Sequence, residues 1–361
     1  MKLPADIVAR LRERFDGLRV CVTGGAGFIG GHLVDALVSV GAVVTVIDDL
    51  SSSSLAHLGE LIDLDPERVR FVHGSILDDD ALADAIGAPS SPSAVDTVFH
   101  LAAVGSVPLS IREPQRTWSV NATGTVRVLE AARRAGVRRV VFAASSSAYG
   151  GLSAEPPPSV NGSGHERPVA AAVETAPPSP LSPYAASKLA GEAALAGWAR
   201  SYGMSTVSLR FFNIFGPRQS ADSAYAAVIA AFAKRLLAAE PPIIYGDGRQ
   251  TRDFTHVSNA VLACLLAAAT DNPLRGEVIN VGTGRRIDLL GLLAAMQRAA
   301  GILPSAASPP RFEPARAGDV RHSLADISRA RDLLGYEPVV SLEDGLADTM
   351  AWYRSALSET R

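Results

Sequence analysis

Residues 20–30 read VCVTGGAGFIG. This stretch decides the fold, because it joins a short apolar run to an apolar helix through Gly24, Gly27 and Gly30. Each glycine has a physical reason. The chain must turn sharply, let a pyrophosphate touch bare backbone, and pack the following helix close to the strand. The start of that helix then offers free N–H groups to phosphate. The spacing alone is a weak signal, and its position between strand and helix gives it weight as a dinucleotide seat. Residues 42–48 form the next strand and end in Asp48, 18 residues past Gly30. A carboxylate there accepts from both adenosine ribose hydroxyls and repels a 2′-phosphate, so NAD is expected rather than NADP. Asp49 is either a further ribose or adenine contact or a loop acid.

Outward from this seat the pattern repeats. A helix is expected over 5–15, and strands over 18–23, 69–73, 97–101 and 139–144. Helical spacing runs from 116 to 135. Short β-rich runs alternating with helices argue a parallel sheet covered on both faces, an α/β Rossmann-type doubly wound fold. Residues 151–183, rich in Pro, Ser, Gly and Ala, break the rhythm and read as a long surface loop. A helix follows over 183–202, then a strand over 206–211, helices over 223–239 and 253–270, and a late strand over 278–281. Residues 286–361 read as short helices and loops. The expected division is an NAD-binding domain of 1–212, to which 258–285 return, and a smaller substrate-binding α/β domain of 213–257 and 286–361.

The bulk numbers fit this picture. The chain has 361 residues, 47% hydrophobic and 20% charged, with a net charge of −3. No strongly basic face is implied, so nucleic acid is not an expected partner. The densest basic stretch, Arg133, Arg134, Arg138 and Arg139, reads as a solvated helix end. The two cysteines, Cys21 and Cys264, fall in apolar segments and imply no disulfide framework. No metal cluster is expected. No apolar run reaches the ~18 residues of a membrane span, and the N-terminus lacks the pattern of a signal peptide. A cytoplasmic location is expected.

Two further motifs carry chemistry. Tyr184-Ala-Ala-Ser-Lys188 places phenol and ammonium on one helix face. A free tyrosine titrates near ~10 and is a poor base. A nearby ammonium and a positive nicotinamide stabilise its phenolate, so Tyr184 is expected to take a hydroxyl proton while hydride leaves the same carbon. Residues 140–150, VVFAASSSAYG, end a buried strand in hydroxyls at the sheet's carboxyl edge, where open α/β sheets bind ligands. Ser145 is the expected hydroxyl that orients the substrate. Ser146 and Ser147 are further candidates.

Together these motifs resemble the extended short-chain dehydrogenase/reductase family, over residues 20 to about 353 of this chain. Within it the sequence is most similar to UDP-sugar 4-epimerases, particularly those acting on UDP-N-acetylglucosamine. The stretches FHLAAVGSVPLSIREP (99–114), VNATGT (120–125), SPYAASK (182–188), LRFFNIFGPRQ (209–219), AYAAVI (224–229), GDGRQTRDFTHV (246–257) and GDVRHSLADIS (318–328) carry the likeness. The resemblance implies a catalytic set of Ser145, Tyr184 and Lys188, with Lys188 also reaching the nicotinamide ribose. It implies a cofactor lining of Phe28, Ile29, Asp48, Ser75, Ile76, Leu101, Ala102, Ala103 and Asn121. Ser75 stands where the family usually has an acid. For the nucleotide-sugar it implies Ser106, Asn213, Val228, Arg252, Arg286, Asp319 and Ser323. An arginine suits bidentate phosphate contact.

Two details narrow the implied chemistry. Related dehydratases carry an Asp-Glu pair after the catalytic hydroxyl, and Ser146-Ser147 stands there instead, which disfavours elimination. At the position of Ser323 a tyrosine excludes an N-acetyl group in this family, whereas a small residue admits it. The implied reaction is NAD-dependent inversion at C4 of a UDP-hexose through a 4-keto intermediate. UDP-GlcNAc and UDP-GalNAc are favoured and plain hexoses remain open. A UDP-glucuronate 4-epimerase or decarboxylase is the neighbouring alternative, and a non-catalytic NAD-sensing protein the distant one. The resemblance also implies a homodimer through the helices at 116–135 and 182–202.

Overall fold

The computed structural model describes residues 4–55, 58–88, 91, 94–151, 170–221, 227–303, 308–315 and 320–359. Seven parallel strands form the central sheet: β1 (Arg19–Thr23), β2 (Val43–Asp48), β3 (Val69–His73), β4 (Thr97–His100), β5 (Arg139–Ser145), β6 (Ser205–Phe211) and β7 (Arg275–Val281). Their order is β7-β6-β5-β4-β1-β2-β3. The chain runs outward through β2 and β3, then returns to place β4 on the other side of β1. That reversal opens a crevice beyond the carboxyl ends of β1 and β4, the place where such sheets bind dinucleotides.

Both sheet faces are covered. Leu33, Val34 and Leu37 of the helix Phe28–Ser39 join Val261 and Leu265 of the helix Val257–Ala269 on one side. Val128, Leu129 and Ala132 join Phe142 and Leu195 on the other. Cover on both faces explains why β1 from Val20 onward and all of β4 are continuously buried rather than alternating. The N-terminal helix Ala5–Phe15 adds Leu11 and Phe15 to the first cluster.

A third core gathers Phe215, Phe232, Ile244, Leu292, Met296, Leu346 and Met350. Its strands are two or three residues long: Ile214–Phe215 pairs Thr255–His256, Ile243–Tyr245 pairs Arg311–Glu313, and Thr251–Arg252 pairs Ile287–Asp288. Ala325, Ile327, Leu334 and Tyr336 pack instead with the first core. Asp253 ties these parts together. Its buried carboxylate accepts from Thr283 N (2.9 Å), Thr283 Oγ1 (2.7 Å), Gly284 N (3.0 Å) and Ala325 N (3.2 Å).

Several expectations change. The helix expected over 116–135 is three pieces: Pro114–Trp118, a π-turn at Ser119–Thr123, and Gly124–Ala135. The C-terminal part holds more than short helices, since Leu342–Glu359 is 18 residues long. The helix expected over 253–270 begins only at Val257, after the strand Thr255–His256. The helix expected over 223–239 is seen as Val228–Leu237, and residues 222–226 lie outside the described residues. So do residues 152–169 of the expected 151–183 loop. Arg139 is not a solvated helix end. It is 3% exposed, and its guanidinium donates to Ser205 Oγ and to the carbonyls of Ala267, Ala268, Thr270 and Asn272.

Candidate active site

The glycine turn folds as its sequence demands. Gly24 has φ +71°, and a Cβ there would lie 2.7 Å from the backbone nitrogen of Ala102 in the turn after β4. A Cβ on Gly30 would lie 2.1 Å from Gly24 O. Gly27 is the N-cap of the helix Phe28–Ser39, and no side chain caps it. The first-turn N–H groups are therefore left for an anion. Asp48 closes β2, with one carboxylate oxygen accepting from Ala26 N (3.0 Å) and the other from Leu50 N (2.9 Å) and Ser53 Oγ (3.0 Å). It is thus fixed beside the glycine turn with acceptor capacity to spare. The uncapped helix start and the fixed carboxylate fit NAD.

One cavity of about 1040 Å³ runs from this seat to the third core. Gly24, Gly27, Phe28, Ile29, Gly30, Asp48, Asp49, Ser75, Ile76, Leu101, Ala102 and Ala103 line its first end. Ser106, Ser145, Ser146, Ser147, Tyr184 and Lys188 line its middle, and Asn213, Val228, Arg252 and Ser323 its far end. Elements distant in sequence therefore converge on one space.

The middle is built by local rules. Ser145 ends β5 and caps the short turn Ser146–Tyr149: Ser147 N donates to its Oγ (3.2 Å), as does Ser147 Oγ (2.8 Å). Ser182 caps the helix Pro183–Tyr202 by accepting from Ala185 N (3.1 Å), with Pro183 in the first turn. Tyr184 and Lys188 follow one turn apart. The half-buried phenol of Tyr184 lines the cavity together with Ser145. Lys188 is 3% exposed. Its Nζ donates to Ala143 O (2.8 Å) and stands 4.8 Å from the centre of the Phe142 ring.

The electrostatics differ from the expectation in one respect. Burial pushes the Tyr184 phenol above its ordinary value, and the neighbouring Ser145 hydroxyl pulls it back only in part. The ammonium expected to depress it is turned to Ala143 and Phe142. Burial brings Lys188 itself down to about 7, opposed by the charge of Glu192. Desolvation outweighs charge pairing here.

At the far end, Asn213 has φ +37° and donates to Asp253 O (3.0 Å) and Ser323 Oγ (3.4 Å). Arg252 Nη1 donates to Thr251 O (2.9 Å) and Arg321 O (3.0 Å). Among the described lining residues the only carboxylates are Asp48 and Asp49, both at the cofactor end.

Three expected residues stand elsewhere. Asn121 does not line the cavity. It is 1% exposed in the π-turn, accepts from Val104 N (2.8 Å), and donates to Val104 O (3.2 Å) and Ser187 Oγ (3.0 Å). It braces the loop that does line the cavity. Arg286 is exposed and outside the lining, because it precedes the strand Ile287–Asp288 on the solvent side. Asp319 lies outside the described residues. Conversely, Tyr149, Leu181, Tyr245, Gln250 and His322 line the cavity without having been singled out. Gln250 and His322 sit inside the GDGRQTRDFTHV and GDVRHSLADIS stretches, and that was the available signal.

A dinucleotide seat at one end and the Tyr184-Ala-Ala-Ser-Lys188 helix face in the middle are the marks of an extended short-chain dehydrogenase/reductase. Over residues 20–282 the chain matches the NAD dependent epimerase/dehydratase family, and it belongs to that family. It is 38% identical to a UDP-glucose 4-epimerase of Mycolicibacterium smegmatis, over 94% of this chain and 99% of that one. The UDP-glucose 4-epimerase of Thermotoga maritima, solved with UDP-glucose, superposes with a TM-score of 0.82 at 36% identity, over 94% of this chain and 100% of that one. A UDP-N-acetylglucosamine 4-epimerase of Methanobrevibacter ruminantium, solved with UDP-N-acetylmuramic acid, gives 0.81 at 35% identity, over 95% and 100%. The chain is an NAD-dependent enzyme of the UDP-sugar 4-epimerase family. Among the described residues, no helix is long and apolar enough to cross a membrane, and no three potential ligands gather to hold a metal.

Proposed function

We propose that this enzyme inverts C4 of a UDP-hexose through a 4-keto intermediate, with UDP-GlcNAc and UDP-GalNAc as preferred substrates and UDP-Glc and UDP-Gal tolerated. The observation that carries the reading is the placing of Ser145, Tyr184 and Lys188 together in the middle of a cavity whose ends suit a dinucleotide and a nucleotide-sugar. Tyr184 takes the proton of the 4-hydroxyl, Ser145 orients that hydroxyl, and Lys188 holds positive charge beside them. NAD supplies the acceptor for the C4 hydride and the source from which it returns. Arg252 and Asn213 hold the nucleotide and diphosphate, while the sugar contacts stay loose enough for the flat ketone to present its other face. Binding energy is thus spent on the part that does not react. The lack of a lining carboxylate near Ser145 among the described residues argues against elimination of water. The small Ser323 beside Asn213 leaves room for a 2-acetamido group.

The domain division at 212, with 258–285 returning to the sheet, is part of this reading, as is a homodimer through the helices around 114–135 and 183–202. The test is turnover of UDP-GlcNAc, UDP-Glc and UDP-glucuronate, with products separated by chromatography. Tyr184→Phe is expected to lose about 10²–10⁴-fold in kcat while keeping bound nicotinamide. Full turnover in that variant, or conversion of UDP-glucuronate alone, would sink the reading.

A further inference from the structure

Lys188 is held by groups that do not neutralise it. Its hydrogen bond goes to the carbonyl of Ala143, and the face of Phe142 lies beneath it. The nearest carboxylate on its own helix is Glu192, one turn on and 6% exposed. Glu192 is gripped by Arg210 of β6 in two parallel bonds, Nε to Oε1 at 2.8 Å and Nη2 to Oε2 at 2.7 Å. Arg210 also stands 4.5 Å over the ring of Tyr149, which lines the cavity and donates to Asn280 Oδ1 at 2.7 Å. Its remaining nitrogen, Nη1, is buried without a hydrogen-bond partner among the described residues.

A role in stability accounts poorly for this pair. A buried ion pair about breaks even against apolar side chains of equal volume, and an unpaired buried N–H adds a cost. The pair's position accounts for it better. Tyr184, Lys188 and Glu192 succeed one another at four-residue steps along one helix face. Other groups near Lys188 offer no counter-charge: His100 of β4 is buried and neutral, and Ser145 of β5 carries no charge.

We propose that Glu192, fixed by Arg210, is a positioning residue for Lys188, supplying the negative field that keeps the buried ammonium charged behind Tyr184. It acts through the lysine and touches neither cofactor nor sugar. Burial and Glu192 pull Lys188 in opposite directions, so losing the carboxylate leaves burial unopposed. The inference rests on the proposed role of Lys188 in turnover.

The experiment is the pH profile of kcat on whichever UDP-sugar the wild-type enzyme converts. Glu192→Gln is expected to move the alkaline limb to lower pH by about one unit, the size typical of a lost neighbouring charge. Glu192→Asp is expected to keep most of the native limb. The double variant Glu192→Gln, Arg210→Met strands no guanidinium, so it remains informative if the single variant misfolds, and its limb is also expected to move down. A limb that stays in place in either folded variant overturns the proposal, as does a limb in Glu192→Asp that matches Glu192→Gln. Lys188→Met separates the two levels. Wild-type turnover in that variant defeats the reading beneath, whereas a dead Lys188→Met with an unmoved Glu192→Gln limb defeats this inference alone.

Discussion

Ser323 shows how much one side chain can decide. Its hydroxyl meets Asn213 at 3.4 Å at the far end of the cavity, and its backbone N–H donates to Thr251 O at 3.0 Å. The backbone is therefore fixed, and a larger side chain has only the cavity to enter. Ser323→Tyr is expected to cut kcat/KM for UDP-GlcNAc by about 10–200-fold, the range that shape exclusion in a pocket delivers, and to leave UDP-Glc nearly unchanged. Steady-state kinetics on both sugars measures this, and an equal loss on both would show that Ser323 does not set the pocket. At this scale the sequence was legible where a position follows from local spacing. Asp48 ends a strand, Ser145 ends another, and Tyr184 and Lys188 share a helix face, so each could be placed before the fold was known. Asn121 and Arg286 could not. Whether a side chain faces a cavity or braces the loop beside it depends on a π-turn or a strand start that no local pattern announces. The direction of the Tyr184 shift was hidden for the same reason, since desolvation is a property of everything packed around the group.

Elements were legible in proportion to their length and burial. The strands of the main sheet are short apolar runs bounded by turns, and β3 spans residues 69–73 as read. The two- and three-residue strands of the third core carry too few side chains for a period of two to show. The break at 119–123 holds Asn121, whose side chain bonds Val104, a contact across sequence that helical spacing does not contain. Arg139 is the clearest case of an element held by a distant residue. It begins β5, yet caps the last carbonyls of the helix Val257–Ala269 and of the turn beyond it. A cation at a helix C-terminus complements both the unpaired carbonyls and the helix dipole. Arg139→Met keeps the aliphatic stem and removes every one of these donors. It is expected to destabilise the fold by about 2–4 kcal/mol, given ~1.5–3 kcal/mol for a charged hydrogen bond and the cost of stranded acceptors. Urea titration checks this, and an unchanged midpoint would mean that water replaces the guanidinium without loss.

The whole molecule carries two consequences that no single element shows. Burial brings His100 down from 6.5 to about 3, with Lys188 adding to the effect, and it brings His256 down from 6.5 to about 4. Both imidazoles are therefore neutral in the fold and take up protons only on unfolding. The unfolded chain binds more protons below pH 6.5, so stability is full above that value and falls as pH drops toward 4. The melting temperature is expected to decline between about pH 6.5 and about pH 5, before most carboxylates titrate, and a flat profile there would contradict the neutral assignment. The second consequence concerns the face beside the active site. Trp118 is 48% exposed, Val126 39% and Ile111 59%, on the helices Pro114–Trp118, Gly124–Ala135 and Val107–Arg112. A shallow groove between Pro114, Trp118 and Pro183 lies on the same side. Single exposed apolar residues are ordinary, whereas several on adjacent helices suit a contact with another protein surface. A second copy presenting the same helices would bury them in a closed two-fold contact, with each subunit's Trp118 available to the partner. Light scattering is expected to give twice the chain mass, and Trp118→Glu to return a monomer that stays folded by circular dichroism, because Trp118 is spent on no core. A wild-type monomer, or a Trp118→Glu protein that remains dimeric, would move the interface off these helices.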